Sequence, residues 1–169
     1  SPKLTKVVIE GKVKRIGEYA FAYASSLTSI HLPDTLERIE TAAFSQCSAL
    51  KSVVIPNSVT FMDERVFQEC TGLESVVLPS SLHKLEYSLF DGCTGLNSIV
   101  IPQGVRYIDR GAFENCKSLS SITLPNTLRI VRKNAFEGCT SLTHLTVPSN
   151  VEQVHPEAFY SLRNIHYRG

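Results

Sequence analysis

The sequence is short of several features that mark particular classes of protein. It contains no tryptophan and one methionine, and its 17 basic and 16 acidic side chains leave a formal net charge of +1. A nearly neutral chain has no overall field to draw it onto nucleic acid or an anionic membrane, so we expect neither partner. No apolar run approaches the ~20 residues of a membrane-spanning helix, and we expect no membrane insertion. Residues 1–11 lack the apolar core of a signal peptide, which leaves a secreted mature form open.

Motifs for catalysis and for cofactor binding are missing as well. The sequence has no glycine-rich phosphate loop and no H-E-x-x-H, C-x-x-C or G-x-S-x-G motif. We therefore predict a protein that is not an enzyme, with no catalytic residue, no bound metal and no cofactor.

What the sequence does contain is a repeat of 23 residues. The frame L-x-x-I-x-I-P-x-x-V-x-x-I-x-x-x-A-F-x-x-C-x-x runs without a gap from Leu4 to Asn164. Seven of the eight phenylalanines, all five cysteines and six of the eight prolines each fall at one position of it. A period between 20 and 50 residues is typical of solenoids and propellers. We predict one domain, residues 1–169, with repeats at 4–26, 27–49, 50–72, 73–95, 96–118, 119–141 and 142–164, and the start of an eighth at 165–169.

Each repeat divides into three predicted segments. Alternation in Ile99-Val100-Ile101 favours a strand with both isoleucines inward and the valine outward, ended by Pro102. Val105 and Ile108 indicate a second extended edge. The spacing of Ala112, Phe113, Cys116 and Leu119 is typical of one face of a short helix.

The repeat resembles that of the BspA-like leucine-rich repeats, whose 23-residue unit carries the same L-x-x-I-x-I-P and A-F-x-x-C signatures. With this resemblance we predict an α/β solenoid: a right-handed leucine-rich-repeat superhelix with a parallel concave β-sheet, a second short extended edge and short helices on the convex side. The resemblance also implies an extracellular or cell-surface location and a role in adhesion.

Two columns of chemically reactive side chains recur at the repeat spacing. We interpret the cysteines as buried, apolar fillers, because five thiols in one line neither converge on zinc nor point toward each other as disulfides require. Glu40, Asp63, Glu86 and Asp109 follow the second edge, and we interpret them as caps of the short helices, with a calcium site as the alternative.

Two surfaces are candidates for binding a partner. The concave sheet presents hydroxyl and small apolar groups in rows, and its central residues are Ser52, Val54, Ser75, Val77, Ser98 and Val100. The second edge combines basic and large apolar side chains, a composition found in protein interfaces, at Arg38, Phe61, Lys84 and Tyr107.

We therefore predict a binding module for a protein or glycan, with host matrix components among the candidate partners. The alternative is a structural spacer or assembly segment of a longer repeat protein, which would associate end to end.

Overall fold

The structure is a computed structural model and describes residues 3–168, which form strands and turns but no helix. The odd-numbered strands are β1 (Lys6–Val8), β3 (Ser29–His31), β5 (Ser52–Val54), β7 (Ser75–Val77), β9 (Ser98–Val100), β11 (Ser121–Thr123), β13 (His144–Val147) and β15 (Asn164–Tyr167). The even-numbered strands, of two residues each, are β2 (Arg15–Ile16), β4 (Arg38–Ile39), β6 (Phe61–Met62), β8 (Lys84–Leu85), β10 (Tyr107–Ile108), β12 (Ile130–Val131) and β14 (Gln153–Val154).

All strand pairs are parallel and link neighbouring repeats. The odd strands pair as β1–β3, β5–β7, β9–β11 and β13–β15, and the even strands as β2–β4–β6 and β8–β10–β12–β14. Ser52 lies opposite Ser75, and Tyr107 lies opposite Ile130, so residues 23 positions apart in the sequence lie side by side on neighbouring coils. The chain is a parallel β-solenoid of about seven coils.

The solenoid presents three surfaces along its length. The long-strand face carries the outward side chains of the odd-numbered strands and corresponds to the predicted concave sheet. The short-strand edge carries those of the even-numbered strands. The turn face lies beyond the even-numbered strands, where the A-F-x-x-C segments run, and corresponds to the predicted convex side.

The core consists of like side chains stacked from coil to coil. The predicted alternation is confirmed, since Ile99 and Ile101 are buried and Val100 faces outward. The ring centroids of the seven repeated phenylalanines stack 5.3–5.7 Å apart, from Phe21 to Phe159. Because one coil has two open faces, its apolar side chains are covered only when further coils stack on it.

The prediction of short helices on the convex side is wrong. In the first six coils, each segment there contains two residues of positive φ, such as Ala42 (55°) and Gln46 (59°), and left-handed residues interrupt a right-handed helix. The backbone N–H groups of these segments instead donate alternately within their own coil and to the next coil. That of Cys47 donates to Phe44 in its own coil, whereas that of Phe44 donates to Val66 in the next coil. These inter-coil hydrogen bonds satisfy buried polar groups that a helix would have satisfied internally.

The last coil departs from the 23-residue register. His144 lies opposite Asn164, 20 residues along the chain, and Thr146 lies opposite His166. Ile165 therefore packs beside Leu145 as an inward strand residue, although the 23-residue frame aligns it with Leu142.

Candidate functional site

The six predicted residues of the concave sheet come together on the long-strand face. Ser52 and Val54 lie opposite Ser75 and Val77 on paired strands, and β9 lies beside β7. The valine side chains are strongly exposed: Val54 by 65%, Val77 by 56% and Val100 by 73%. Beta-branched residues suit the strand backbone, but this row of three outward-facing valines leaves more than half of each side chain exposed.

Hydroxyl groups run beside this valine row. The side chains of Ser52, Ser75 and Ser98 are exposed and make no hydrogen bond to another residue within 3–168. The middle of the long-strand face therefore offers a strip of uncharged methyl groups and of hydroxyl groups that make no hydrogen bond to the described residues. Such a strip suits a ligand that can make both apolar contacts and hydrogen bonds.

The four predicted residues of the second edge lie on β4, β6, β8 and β10, but they divide between two sheets. Arg38 lies opposite Phe61 in one sheet, and Lys84 lies opposite Tyr107 in the other. The guanidinium carbon of Arg38 stands 4.3 Å from the centroid of the Phe61 ring, and its Nε is 3.6 Å from Oε1 of Glu40. Cation–π and ionic contacts within the chain thus already engage Arg38.

Lys84 is engaged in the same way. Its Nζ lies 3.2 Å from Oε2 of Glu86 and 3.2 Å from Oδ2 of Asp109. Burial alone would lower the pKa of Lys84, but hydrogen bonds to these two carboxylates and their charges raise it on balance. Compared with the long-strand face, the short-strand edge has less unused binding capacity.

The acidic residues Glu40, Asp63, Glu86 and Asp109 do not cap helices, because no helix is present within residues 3–168, so that interpretation is wrong. Asp63 and Asp109 accept the backbone N–H of the next residue, at 2.8 and 2.7 Å, at a bend rather than at a helix start. Glu40 lies between Arg15 and Arg38, at 3.4 and 3.6 Å, so the column connects coils by ion pairs. Within residues 3–168 no three or more His, Cys, Asp or Glu side chains are grouped as metal ligands.

The cysteine column is a set of free, fully buried thiols, which confirms the interpretation as core fillers. Burial raises the pKa of the Cys47 thiol to about 11 and that of Cys139 to about 12. A thiol that stays protonated near neutral pH is a poor nucleophile and a poor metal ligand.

Sequence reasoning missed a cluster at the C-terminal end of the long-strand face. His144, His166, Arg163 and Arg168 line two adjoining hollows there. The 23-residue period hid the cluster, because the shortened last coil moves His166 beside Thr146. The available signal was the concentration of Arg and His in the last seven residues.

The parallel strands and the side chains stacked from coil to coil define the class of protein: a leucine-rich repeat protein built as a parallel β-solenoid. The sequence profile of the BspA type leucine-rich repeat region matches the chain in six copies, over residues 1–118 and 84–168. The chain belongs to the BspA-type leucine-rich repeat family. Repeats of this family are typically non-enzymatic, and no curated protein matches the chain.

Solved structures of bacterial repeat proteins share the fold. A leucine-rich repeat protein from Eubacterium ventriosum superposes with a TM-score of 0.87 at 26% identity, covering 94% of this chain and 43% of that one. The leucine-rich repeat protein of T. pallidum gives 0.86 at 27% identity, covering 96% and 79%. A leucine-rich cell surface protein from Faecalibacterium prausnitzii gives 0.56 at 22%, covering 98% and 60%, a likeness of fold alone.

The chain thus spans less than half of the Eubacterium protein, and 55% of a similar protein from Bacteroides ovatus. Within residues 3–168, no helix has the length and apolar character needed to cross a bilayer.

Proposed function

We propose that this chain is a non-catalytic binding module displayed outside the cell, and that it binds a protein or glycan in adhesion through its long-strand face. The extracellular assignment is supported by the family and by the cell-surface description of the Faecalibacterium relative.

The observation that carries this proposal is the exposed row of Val54, Val77 and Val100 beside uncommitted serine hydroxyls. An exposed apolar strip on a soluble domain usually marks a contact surface. The short-strand edge ranks second, because Arg38 and Lys84 already form contacts within the chain.

Two double variants separate the two surfaces. Val77→Glu with Val100→Glu places charge in the valine row, and Phe61→Ala with Tyr107→Ala removes the large side chains of the edge. Thr71→Glu with Thr140→Glu, at two exposed turn-face positions, is the matched charge control.

The measurement is binding to immobilised matrix proteins and to a glycan array, followed by affinities for whichever ligand is captured. We expect the valine variant to lose at least tenfold in affinity and the control to lose none. Wild-type affinity in both the valine and the edge variants would contradict binding by either surface.

A second candidate function, structural assembly with a second copy of this chain, is favoured by the hydrogen bonds of the turn face. There the N–H groups of one coil donate to carbonyl groups of the next, always in the same direction, as in Tyr19 to Thr41 and Phe21 to Ala43. Within residues 3–168, the carbonyl groups of Ala20 and Ala22 accept no such bond, and the N–H group of Phe159 donates none.

The first and last coils are therefore complementary, so further coils of a longer repeat protein, or a second copy of this chain, would stack on them head to tail rather than symmetrically. Analytical ultracentrifugation between micromolar and millimolar protein tests this candidate. Growth of oligomers with concentration is expected, and a monomer throughout would contradict it.

A further inference from the structure

The C-terminal end of the long-strand face differs in chemistry from its middle. The outward residues of β11, β13 and β15 are Ser121, Thr123, His144, Thr146, Asn164 and His166. Valine is absent from these positions, and hydroxyl, amide and imidazole groups replace it. Since Thr146 lies opposite His166 and His144 opposite Asn164, the two imidazoles lie diagonally on adjacent strands.

These side chains border two adjoining hollows, which together make up the depression at this end of the face. The larger is lined by residues that include Gln103, Thr123, Asn126 and Arg168, and the smaller by Arg163, Asn164 and His166 among others. Both hollows are also lined by His144 and Thr146, so the depression crosses three strands.

The charge at this depression is of one sign. No Asp or Glu lines either hollow, and Arg163 and Arg168 form no ion pair with another residue within 3–168. Glu152 and Glu157, the last two acidic residues of the sequence, pair elsewhere, at 3.9 Å from Arg129 and 3.4 Å from Lys133. A guanidinium group that has no ion-pair partner among the described residues is suited to planar, paired hydrogen bonds with an anion.

One imidazole is oriented by the residue that precedes its strand. Nδ1 of His144 lies 3.0 Å from Oγ1 of Thr143, which leaves Nε2 as the ring nitrogen available to a ligand. His144 therefore contributes a second type of polar contact beside Arg168 in the larger hollow.

We propose that this depression binds an anionic group of a polysaccharide, a sulfate ester or a carboxylate. Arg163 in the smaller hollow and Arg168 in the larger would each bind an anionic group, while Thr123, Thr146 and the amides of Gln103 and Asn126 would hydrogen-bond to sugar hydroxyls. A glycan fits better than an acidic protein, because hydroxyl, amide and imidazole groups face out of this lining, and Tyr167, the exposed aromatic residue of β15, lies outside both hollows. This inference deepens the proposed function by assigning a ligand class to one end of the same face.

The test uses the full chain and three oligosaccharides of equal length. They are a sulfated heparin-derived hexasaccharide, a hyaluronan hexasaccharide that carries carboxylates only, and an uncharged dextran hexasaccharide. Titration calorimetry at two salt concentrations should show binding of at least one charged probe and none of dextran. The tighter of the two charged probes identifies whether sulfate or carboxylate is the preferred anion.

Substitutions then locate the site. Arg168→Gln and Arg163→Gln should each weaken binding about tenfold, which corresponds to ~1.4 kcal/mol. Lys117→Gln removes the same charge from an exposed turn-face position and should leave the affinity unchanged. Both arginines are exposed, so their replacement should not alter the melting temperature.

Several results would overturn this inference: no binding of either charged probe, equal binding of dextran, or equal losses from Arg168→Gln and Lys117→Gln. Tighter binding of an acidic peptide than of both oligosaccharides would also overturn the glycan assignment.

The Val77→Glu, Val100→Glu variant separates this inference from the proposed function. If Arg168→Gln weakens binding of a probe and the valine variant does not, the result supports binding at the depression and contradicts the role of the valine row. If the valine variant weakens binding of a probe and Arg168→Gln does not, the result overturns binding at the depression and leaves the proposed function intact.

Discussion

Each cysteine of the repeat does more than fill space. The Sγ atoms lie 3.0–3.2 Å from the carbonyl oxygen of the phenylalanine in the preceding coil, as Cys93 does with Phe67. Leu162 occupies this column in the last coil and cannot donate, and there Oγ of Ser161 lies 3.3 Å from the Phe136 carbonyl instead. The sequence predicted the burial, because the column holds Ala24 in the first coil and Leu162 in the last, and a position that accepts cysteine, alanine and leucine indicates packing. It could not reveal the donor role, which depends on the placement of the neighbouring coil.

Thiol reactivity tests this burial. At pH 8 we expect no reaction of the five cysteines with an aromatic disulfide reagent in the folded chain, and complete reaction of all five after denaturation in urea. The folded and denatured absorbance changes give the two counts directly. Rapid modification of any thiol without denaturant would contradict the fully buried ladder.

Alkaline pH should destabilise the fold through the same thiols. Their ordinary pKa is 9.0, and burial raises that of Cys139 to about 12, so above pH 9 the unfolded chain ionises while the folded chain stays protonated. Stability is therefore fully present below pH 9 and falls as pH rises, by ~1.4 kcal/mol per pH unit for each thiol still protonated in the folded state.

Urea unfolding at pH 8, 9.5 and 10.5 measures this slope. Cys139→Ala should be less stable than wild type at pH 8. Its free energy of unfolding should also fall less steeply with pH, because one buried thiol no longer contributes to the loss. Parallel slopes in the two proteins would show that Cys139 does not contribute to the loss.

Within one repeat, the strands could be predicted and the turn segment could not. Alternation fixes which side of Ile99-Val100-Ile101 is buried, and a strand is the only regular structure with that period. The spacing of Ala112, Phe113, Cys116 and Leu119 fits a helix and also fits the observed turns, so it does not decide between them. The sign of φ decides, and the glycines and asparagines at Gly92, Gly111, Asn115, Asn134 and Gly138 were its signal.

The same limit applies to the candidate site. The valine and serine rows followed from the strand period, and the structure brings those residues together. The basic depression did not, because the repeat frame places His166 three residues away from its observed partner, Thr146. Prediction by period fails where the period changes.

A glycine at a left-handed position should stabilise the turn face. Gln46 has a φ of 59° and an exposed side chain, and two other coils have glycine, Gly92 and Gly138, in its column. Relief of left-handed strain outweighs the added entropy of the unfolded chain, so Gln46→Gly should raise the free energy of unfolding by ~0.5–1 kcal/mol.

Gly92→Ala is the matched reverse change. It forces a Cβ into a φ of 76° and to within 3.0 Å of Cγ of Glu69, and it should lower stability by ~1 kcal/mol or more. Thermal and urea unfolding of both variants measure the effects. A loss of stability in Gln46→Gly would contradict the strain argument.

Across the whole molecule, stability should depend on how many neighbouring coils cover a side chain. Leu4 of the first coil is 45% exposed, whereas Leu27 in the same column is fully buried. In a solenoid each coil interacts with its neighbours only, so internal coils have two stabilising interfaces and end coils have one.

The phenylalanine ladder allows this dependence to be measured with one chemical change at two places. Phe90 stacks between Phe67 and Phe113, at 5.7 and 5.4 Å, whereas Phe21 has one stacked neighbour, Phe44, at 5.5 Å. Phe90→Ala leaves a cavity with neighbours on both sides and should cost ~3–5 kcal/mol, while Phe21→Ala should cost about half as much, because water can fill the space it leaves.

Urea unfolding gives the two free energies, and hydrogen exchange shows where each variant opens. In the wild type, the amides of residues 73–95 should exchange more slowly than those of the first coil, since opening an internal coil breaks two interfaces. Phe21→Ala should speed exchange in the first coil alone, whereas Phe90→Ala should speed it on both sides of its coil. Equal destabilisation by the two variants, with uniform exchange along the chain, would show that the solenoid unfolds as one cooperative unit rather than from its ends.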